Sequence, residues 1–199
     1  MIAYPLTATF RLIALSPEVQ VRDANNDLLL EVKQKVFTLR EDTTVFADET
    51  RTTPLYRMRA DRISGFWAVH HITRATDGAP VGTVAAEGLR TLWSVRYQVR
   101  DAQERPVFTI REENPFIKFL DALVDDIPLV GWLLASAINP TYVLEDETGV
   151  IRYRISKRRS LIERRFVLEQ VAEDVREDLD ERLVALALIQ VMLLERHRG

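Results

Sequence analysis

The strongest constraint on the fold is an apolar run near the C-terminus, residues 183–194, which only Gln190 interrupts. A helix on the surface of a domain shows one apolar stripe, but the apolar residues of this run would cover every side of a helix. The run is also shorter than the roughly 18 to 20 residues that a membrane span needs. We therefore predict a central helix over about 180–196 that the rest of the chain surrounds.

Short β-type runs separated by polar turns recur along the sequence. In the first unit, the turn Asn25–Asp27 separates two such runs. Asn, Asp and Gly tolerate positive φ and bond to nearby backbone, so they close hairpin turns. The units lie at 19–32, 70–84, 97–110 and 142–155. This spacing predicts a series of antiparallel hairpins.

The hairpins and the apolar helix together favour one architecture. A sheet of many short strands has exposed edges, and closing the sheet into a barrel removes them. The inside of such a barrel also covers an all-apolar helix on every side. We therefore predict a mainly β fold with α, a closed antiparallel β-barrel around the C-terminal helix.

One segment departs from the β pattern. Asn114–Pro115 is typical of a helix start, and apolar residues follow it at helical spacing until Pro128. A second short apolar segment then ends at Asn139–Pro140. These features predict an inserted helical hairpin over about 115–138.

Composition limits the classes of function. The chain has 199 residues with a net charge of −3 and no cysteine, so we expect one domain over 1–199 without disulfides, thiolate metal sites or cysteine nucleophiles. The N-terminus shows no signal peptide pattern, and we expect a cytoplasmic protein.

No catalytic constellation is visible. His70 and His71 are neighbours on a predicted strand and would point to opposite faces, so they are not expected to share a metal. The glycines Gly78, Gly82 and Gly88 match no dinucleotide or phosphate loop. We therefore expect no enzyme activity, no catalytic residues, no metal and no cofactor.

Basic residues are concentrated in one predicted strand–turn–strand unit. They are Arg152, Arg154, Lys157, Arg158, Arg159, Arg164 and Arg165. Because side chains alternate along a strand, Arg152 and Arg154 share the face opposite Tyr153, which predicts an outward-facing patch. The patch fits either a solvated hairpin that nearby acidic residues partly neutralise or a binding site for an anion such as a lipid headgroup. Since the net charge is negative, no nucleic acid partner is expected.

The predicted helical hairpin contains a candidate interface, formed by Leu129, Val130, Trp132 and Leu133. These residues could cap the barrel, enter a membrane interface or form a homodimer contact. The acidic residues beside them argue against anionic lipid. Dimerisation is therefore favoured over membrane insertion at this segment.

The residues resemble the LURP-one-related family, which belongs with the phospholipid scramblases and the C-terminal domains of tubby proteins. The resemblance is carried by Val21-Arg22-Asp23-Ala24, by Leu29–Val32, by Lys35–Leu39 and by Asp180–Ala187. It implies a barrel of about twelve strands around a central C-terminal helix. Tubby domains bind phosphoinositides through basic residues on the barrel surface, so the resemblance favours lipid as the anion.

The leading hypothesis from the sequence is a non-enzymatic binding or scaffold domain of the tubby-like class. Its basic hairpin would bind anionic phospholipid headgroups or a phosphorylated ligand at a membrane surface. The alternative is a self-associating module that uses the apolar helical hairpin. Many members of the resembled family have no established activity.

Overall fold

The structure is a computed structural model of the chain. It describes residues 2–11, 18–34, 42–62, 68–87, 96–113, 141–158, 163–173 and 181–196. Within these ranges the chain forms twelve strands and one helix.

Most strands have five to seven residues. They are β1 Leu6–Arg11, β2 Glu18–Arg22, β3 Leu28–Gln34, β4 Asp42–Phe46, β5 Pro54–Ala60, β6 Val69–Arg74, β7 Pro80–Ala86, β8 Arg96–Asp101, β9 Pro106–Glu112, β10 Thr141–Asp146, β11 Ile151–Arg158 and β12 Glu163–Gln170. The helix, α1, is Glu181–Arg196.

The twelve strands form one closed barrel. Each strand pairs antiparallel with the next strand in the sequence, and β1 closes the ring by pairing antiparallel with β12. All four hairpin units predicted from the sequence are present, as β2–β3, β6–β7, β8–β9 and β10–β11. The predicted closed barrel is therefore confirmed.

Five hairpin turns lie at one end of the barrel, which we call the turn end. Each turn contains an aspartate whose carboxylate accepts hydrogen bonds from backbone amides, and the five are Asp23, Asp48, Asp77, Asp101 and Asp146. In the β10–β11 turn, Asp146 Oδ1 accepts from the amides of Thr148 at 2.9 Å and Val150 at 3.0 Å. Gly149 in the same turn has φ +84°, a conformation that glycine adopts without strain. We call the opposite end, where β1, β3, β5, β7, β9 and β11 end, the distal end.

Helix α1 occupies the lumen of the barrel. Its residues 183–193 are all buried, and Gln190 is buried with the rest. The helix enters from the turn end, where the Arg182 guanidinium is 3.3 Å from the Tyr56 hydroxyl. The central helix predicted over about 180–196 is therefore confirmed. The helical hairpin predicted over 115–138 lies outside the described residues.

The wall shows the alternation expected of a barrel that encloses a core. On β2, for example, Val19 and Val21 are buried and the residues between them are partly exposed. The lumen-facing residues of the strands and the residues of α1 form one hydrophobic cluster. Function that needs solvent contact is consequently left to the outer face and to the two ends.

Candidate functional site

The basic hairpin predicted from the sequence is formed by β11 and β12. Tyr153 and Ile155 are buried in the lumen, and Arg152 and Arg154 alternate with them on the outer face. The pairing of Arg154 with Glu169 fixes the register between the two strands. Arg152 and Arg154 therefore lie on the outer face of the wall, as the alternation along the strand predicts.

Carboxylates neutralise the first two arginines of the hairpin. Arg154 forms a bidentate pair with Glu113, with Nη2 to Oε1 at 2.8 Å and Nε to Oε2 at 3.2 Å. This hydrogen-bonded pairing raises the pKa of the Arg154 guanidinium. Arg152 Nε donates to Asp146 Oδ2 at 2.6 Å, and its Nη1 donates to the Glu173 carbonyl at 2.6 Å. These two arginines therefore stabilise the wall through their ion pairs, and their charge is already balanced by carboxylates.

Asp146 links the hairpin to the adjacent turn. Burial would raise the pKa of its carboxyl, but the hydrogen bonds from Thr148, from Arg152 and from the backbone outweigh burial and lower the pKa to about 2. The carboxylate is thus held ionised, with one oxygen on the turn and the other on Arg152.

The remaining basic residues lie toward the distal end. Arg158 and Arg165 are directly opposite each other across β11 and β12, and both are exposed. The carboxylate paired with Arg158 is that of Glu169, at 3.8 Å. Lys157 is half-buried on the lumen side of the alternation. Arg159 and the side chain of Arg164 lie outside the described residues.

The candidate interface of the sequence analysis is not part of the described structure. Leu129, Val130, Trp132 and Leu133 all lie outside the described residues. Self-association through them stays a prediction.

The two adjacent histidines occupy different environments. His70 is buried in the lumen, whereas His71 is exposed on the outer face. Among the residues that the structure describes, no group of three or more His, Cys, Asp and Glu side chains is arranged to hold a metal ion. Within the same ranges, no helix has the length and hydropathy that a membrane crossing requires.

Sequence reasoning missed an ion-pair cluster on the outer face. Arg51 Nη2 lies 2.5 Å from Glu18 Oε1 and 2.9 Å from Glu31 Oε1, and Glu31 is only 2% exposed. Burial would lower the pKa of Arg51, but the bonds to Glu31 and Glu18 outweigh it and raise the pKa. In the sequence, Glu31 reads as a polar residue between two lumen residues, and nothing there identifies Arg51 as its partner.

Comparisons with known proteins agree with this architecture. A model of the LURP-one-related family matches residues 28–127, half of the chain. The X-ray structure of a protein from Arabidopsis thaliana superposes with a TM-score of 0.53 at 15% identity, and the match covers 98% of this chain and 94% of that one. At that identity the likeness concerns the fold alone. A comparison with curated proteins finds no match.

Proposed function

The chain belongs to the LURP-one-related family, and we propose that it is a non-enzymatic binding or scaffold domain that contacts anionic phospholipid headgroups through the β11–β12 hairpin. The observation that carries this proposal is the pair formed by Arg158 and Arg165. They are directly opposite on the outer face and both exposed.

The pair suits an anion for an electrostatic reason. Two like charges directly opposite each other on a sheet repel, and a bound anion lowers that repulsion. Guanidinium groups also match the geometry of phosphate oxygens, to which they can donate two parallel hydrogen bonds. Glu169, at 3.8 Å from Arg158, is too distant for a close bidentate pair. An anionic headgroup that approaches the exposed end of the hairpin can therefore contact both guanidinium groups.

An anionic membrane surface attracts each basic residue near it, so several weak attractions add up. Each basic residue near an anionic leaflet contributes about 1 kcal/mol, and the contribution falls off within a Debye length. Arg158 and Arg165 alone thus support reversible, salt-sensitive attachment. The protein would then be cytoplasmic and reach the membrane peripherally.

The test is flotation with vesicles of phosphatidylcholine, with and without phosphatidylserine. We expect the full chain to float with the anionic vesicles only, and Arg158→Gln/Arg165→Gln to lose this association. The matched control is Arg22→Gln/Arg74→Gln, which removes the same charge from the turn end and should float like the wild type. Equal flotation of the Arg158→Gln/Arg165→Gln variant and the wild type would refute the proposal.

A further inference from the structure

One polar residue interrupts the apolar helix in the lumen. Gln190 is the only polar residue among residues 183–193 of α1, and it is 1% exposed. Its side-chain nitrogen Nε2 has no hydrogen-bond partner among the residues that the structure describes. A buried amide nitrogen without a partner lowers the stability of a protein, and a leucine at this position would avoid that loss. Packing of the barrel around α1 therefore does not explain this residue.

Gln190 lies on the side of α1 that faces β7. Leu183 packs on Gly82 of β7, where an added Cβ would lie 2.9 Å from Leu183 Cδ1. Successive helical residues are about 100° apart, so seven residues make close to two full turns. Gln190 is therefore on the same side as Leu183 and about 10.5 Å nearer to the distal end. Of the described strands, β7 is also the one that α1 approaches most closely.

Two hydrogen-bonding side chains flank this part of β7. From Gly82, the lumen side of β7 continues toward the distal end through Val84 and Ala86. His70 of β6 is directly opposite Val84, and Tyr97 of β8 is directly opposite Ala86. Both side chains are buried in the lumen. The amide of α1 thus faces a stretch of wall with an imidazole on one side and a phenol on the other.

A carboxyl group lies next to the phenol. Tyr97 is paired with Ile110 of β9, and Glu112 lies two residues further toward the distal end, on the same face of that strand. Glu112 is 4% exposed. Diagonal neighbours on adjacent strands are about 7 to 8 Å apart, which is within reach of an aromatic side chain. We call these four buried residues the lumen cluster: His70, Tyr97, Glu112 and Gln190.

The wall beside the lumen cluster carries small side chains. Ala60 of β5 is directly opposite His70, and Ala86 of β7 is directly opposite Tyr97. An alanine fills less of the lumen than the larger apolar residues at most other lumen positions of the wall. Small side chains beside polar groups are the arrangement in which a protein interior encloses a water-sized molecule and forms hydrogen bonds to it.

The chemistry of the lumen cluster limits what it can bind. Buried polar groups are satisfied by protein partners or by bound molecules such as water. A molecule that serves Gln190 Nε2 must accept a hydrogen bond, because an amide N–H group only donates. The same molecule must donate a hydrogen bond to serve Glu112, because a carboxylate only accepts. A hydroxyl group does both, whereas a metal cation cannot accept and a fully ionised anion cannot donate.

We propose that the lumen cluster binds the hydroxyl group of a small uncharged molecule beside α1. This chemistry has two sources, an ordered water molecule and the hydroxyl group of a small alcohol. The site lies on the lumen side of β6 to β9, apart from the outer face of the β11–β12 hairpin. The two sites can therefore fail or hold independently. The helix then has a role besides filling the lumen, because it supplies the amide that holds the bound molecule.

The direct test is a crystal structure of the full chain at a resolution that shows ordered water, followed by transfer of the crystals to ethylene glycol. We expect density within hydrogen-bond distance of Gln190 Nε2 and of at least one other group of the lumen cluster. Density that remains that of water in ethylene glycol supports the site with water as its ligand, and density of the diol supports a site for small alcohols. A protein atom as the partner of Nε2, or no density beside it, would refute the proposal.

A stability measurement tests the site in solution. If a hydroxyl is bound, Gln190→Leu removes one of its partners and leaves the rest of the cluster with an unsatisfied bond, so the urea midpoint should fall. If nothing is bound, the same change replaces an unpartnered amide by an apolar side chain, and the midpoint should rise, which would overturn the proposal. The matched control is Met192→Leu, at another buried position in the same half of α1, which should shift the midpoint little.

Discussion

The lumen and the outer wall of this barrel are built from opposite chemistry. In the lumen, the side chains of α1 from Leu183 to Leu193 are almost entirely apolar and buried. On the wall, many charged side chains occur as partly exposed ion pairs such as Arg154 with Glu113 and Arg111 with Glu145. Burial of one large apolar side chain contributes about 1.5 to 3 kcal/mol, whereas an exposed ion pair contributes about 0 to 1 kcal/mol. The lumen therefore sets stability, and the wall is free to set recognition.

The strongest way to break this comparison is a charge in the middle of the helix. Leu188 is fully buried in the lumen. The carboxylate of Leu188→Asp would have no partner in the lumen. We expect the chain to fail to fold, since the free-energy cost of burying an unpaired charge exceeds the typical net stability of a domain. The measurement is near-UV circular dichroism with size-exclusion chromatography. Val171→Asp, at a residue that is 44% exposed, is the control and should fold normally.

A smaller break is available where the helix meets the wall. A Cβ added at Gly82 would clash with the backbone carbonyl oxygen of Arg100 and lie 2.9 Å from Leu183 Cδ1. We expect Gly82→Ala to fold but to lose about 1 to 3 kcal/mol of unfolding free energy, as overpacked cores do. Urea denaturation measures the loss. An unchanged midpoint would mean that α1 does not pack as closely on β7 as the structure places it.

Local patterns in the sequence predicted the lumen better than the wall. The all-round apolar run of 183–194 and the Asp- and Asn-containing turns sufficed for a barrel around a helix, because hairpins and helices depend on neighbouring residues. The first strand, Leu6–Arg11, was not predicted, although Leu6, Ala8 and Phe10 alternate as a half-buried strand should. Its pairing with β12, from the far end of the chain, is a long-range contact that no local pattern encodes.

The candidate site was predicted only in part for the same reason. Alternation on β11 correctly indicated that Arg152 and Arg154 face outward. The partner of Arg154 is Glu113, 41 positions earlier in the sequence, and only the pairing of β9, β10 and β11 brings them together.

The turn end combines a property of the lumen with a property of the wall, because its aspartates stabilise the fold as the lumen does, but through charge. The pKa of Asp146 is lowered to about 2, so its contribution is fully present near neutral pH and is lost as pH falls from about 4 to about 2. We expect Asp146→Asn to lose about 1 to 3 kcal/mol near neutral pH, as bonds to a charged group do. The difference from the wild type should shrink as the pH falls through that window. Urea denaturation over a pH series measures it, and a difference that is independent of pH would contradict the assigned role.

The smallest effect on stability is expected on the wall itself, where the same change should alter binding. Glu113→Gln removes the counter-charge of Arg154 at a partly exposed ion pair, so the free energy of unfolding should change by at most about 1 kcal/mol. If the β11–β12 hairpin contacts anionic lipid, the released guanidinium adds about 1 kcal/mol of attraction, which is about fivefold in affinity for phosphatidylserine vesicles. Glu49→Gln releases Arg22 at the turn end in the same way and should leave vesicle affinity unchanged. An equal gain in Glu49→Gln, which changes the net charge by the same amount, would show that net charge, and not Arg154, drives the attachment, and the division of roles between lumen and wall would then need no specific lipid-binding hairpin.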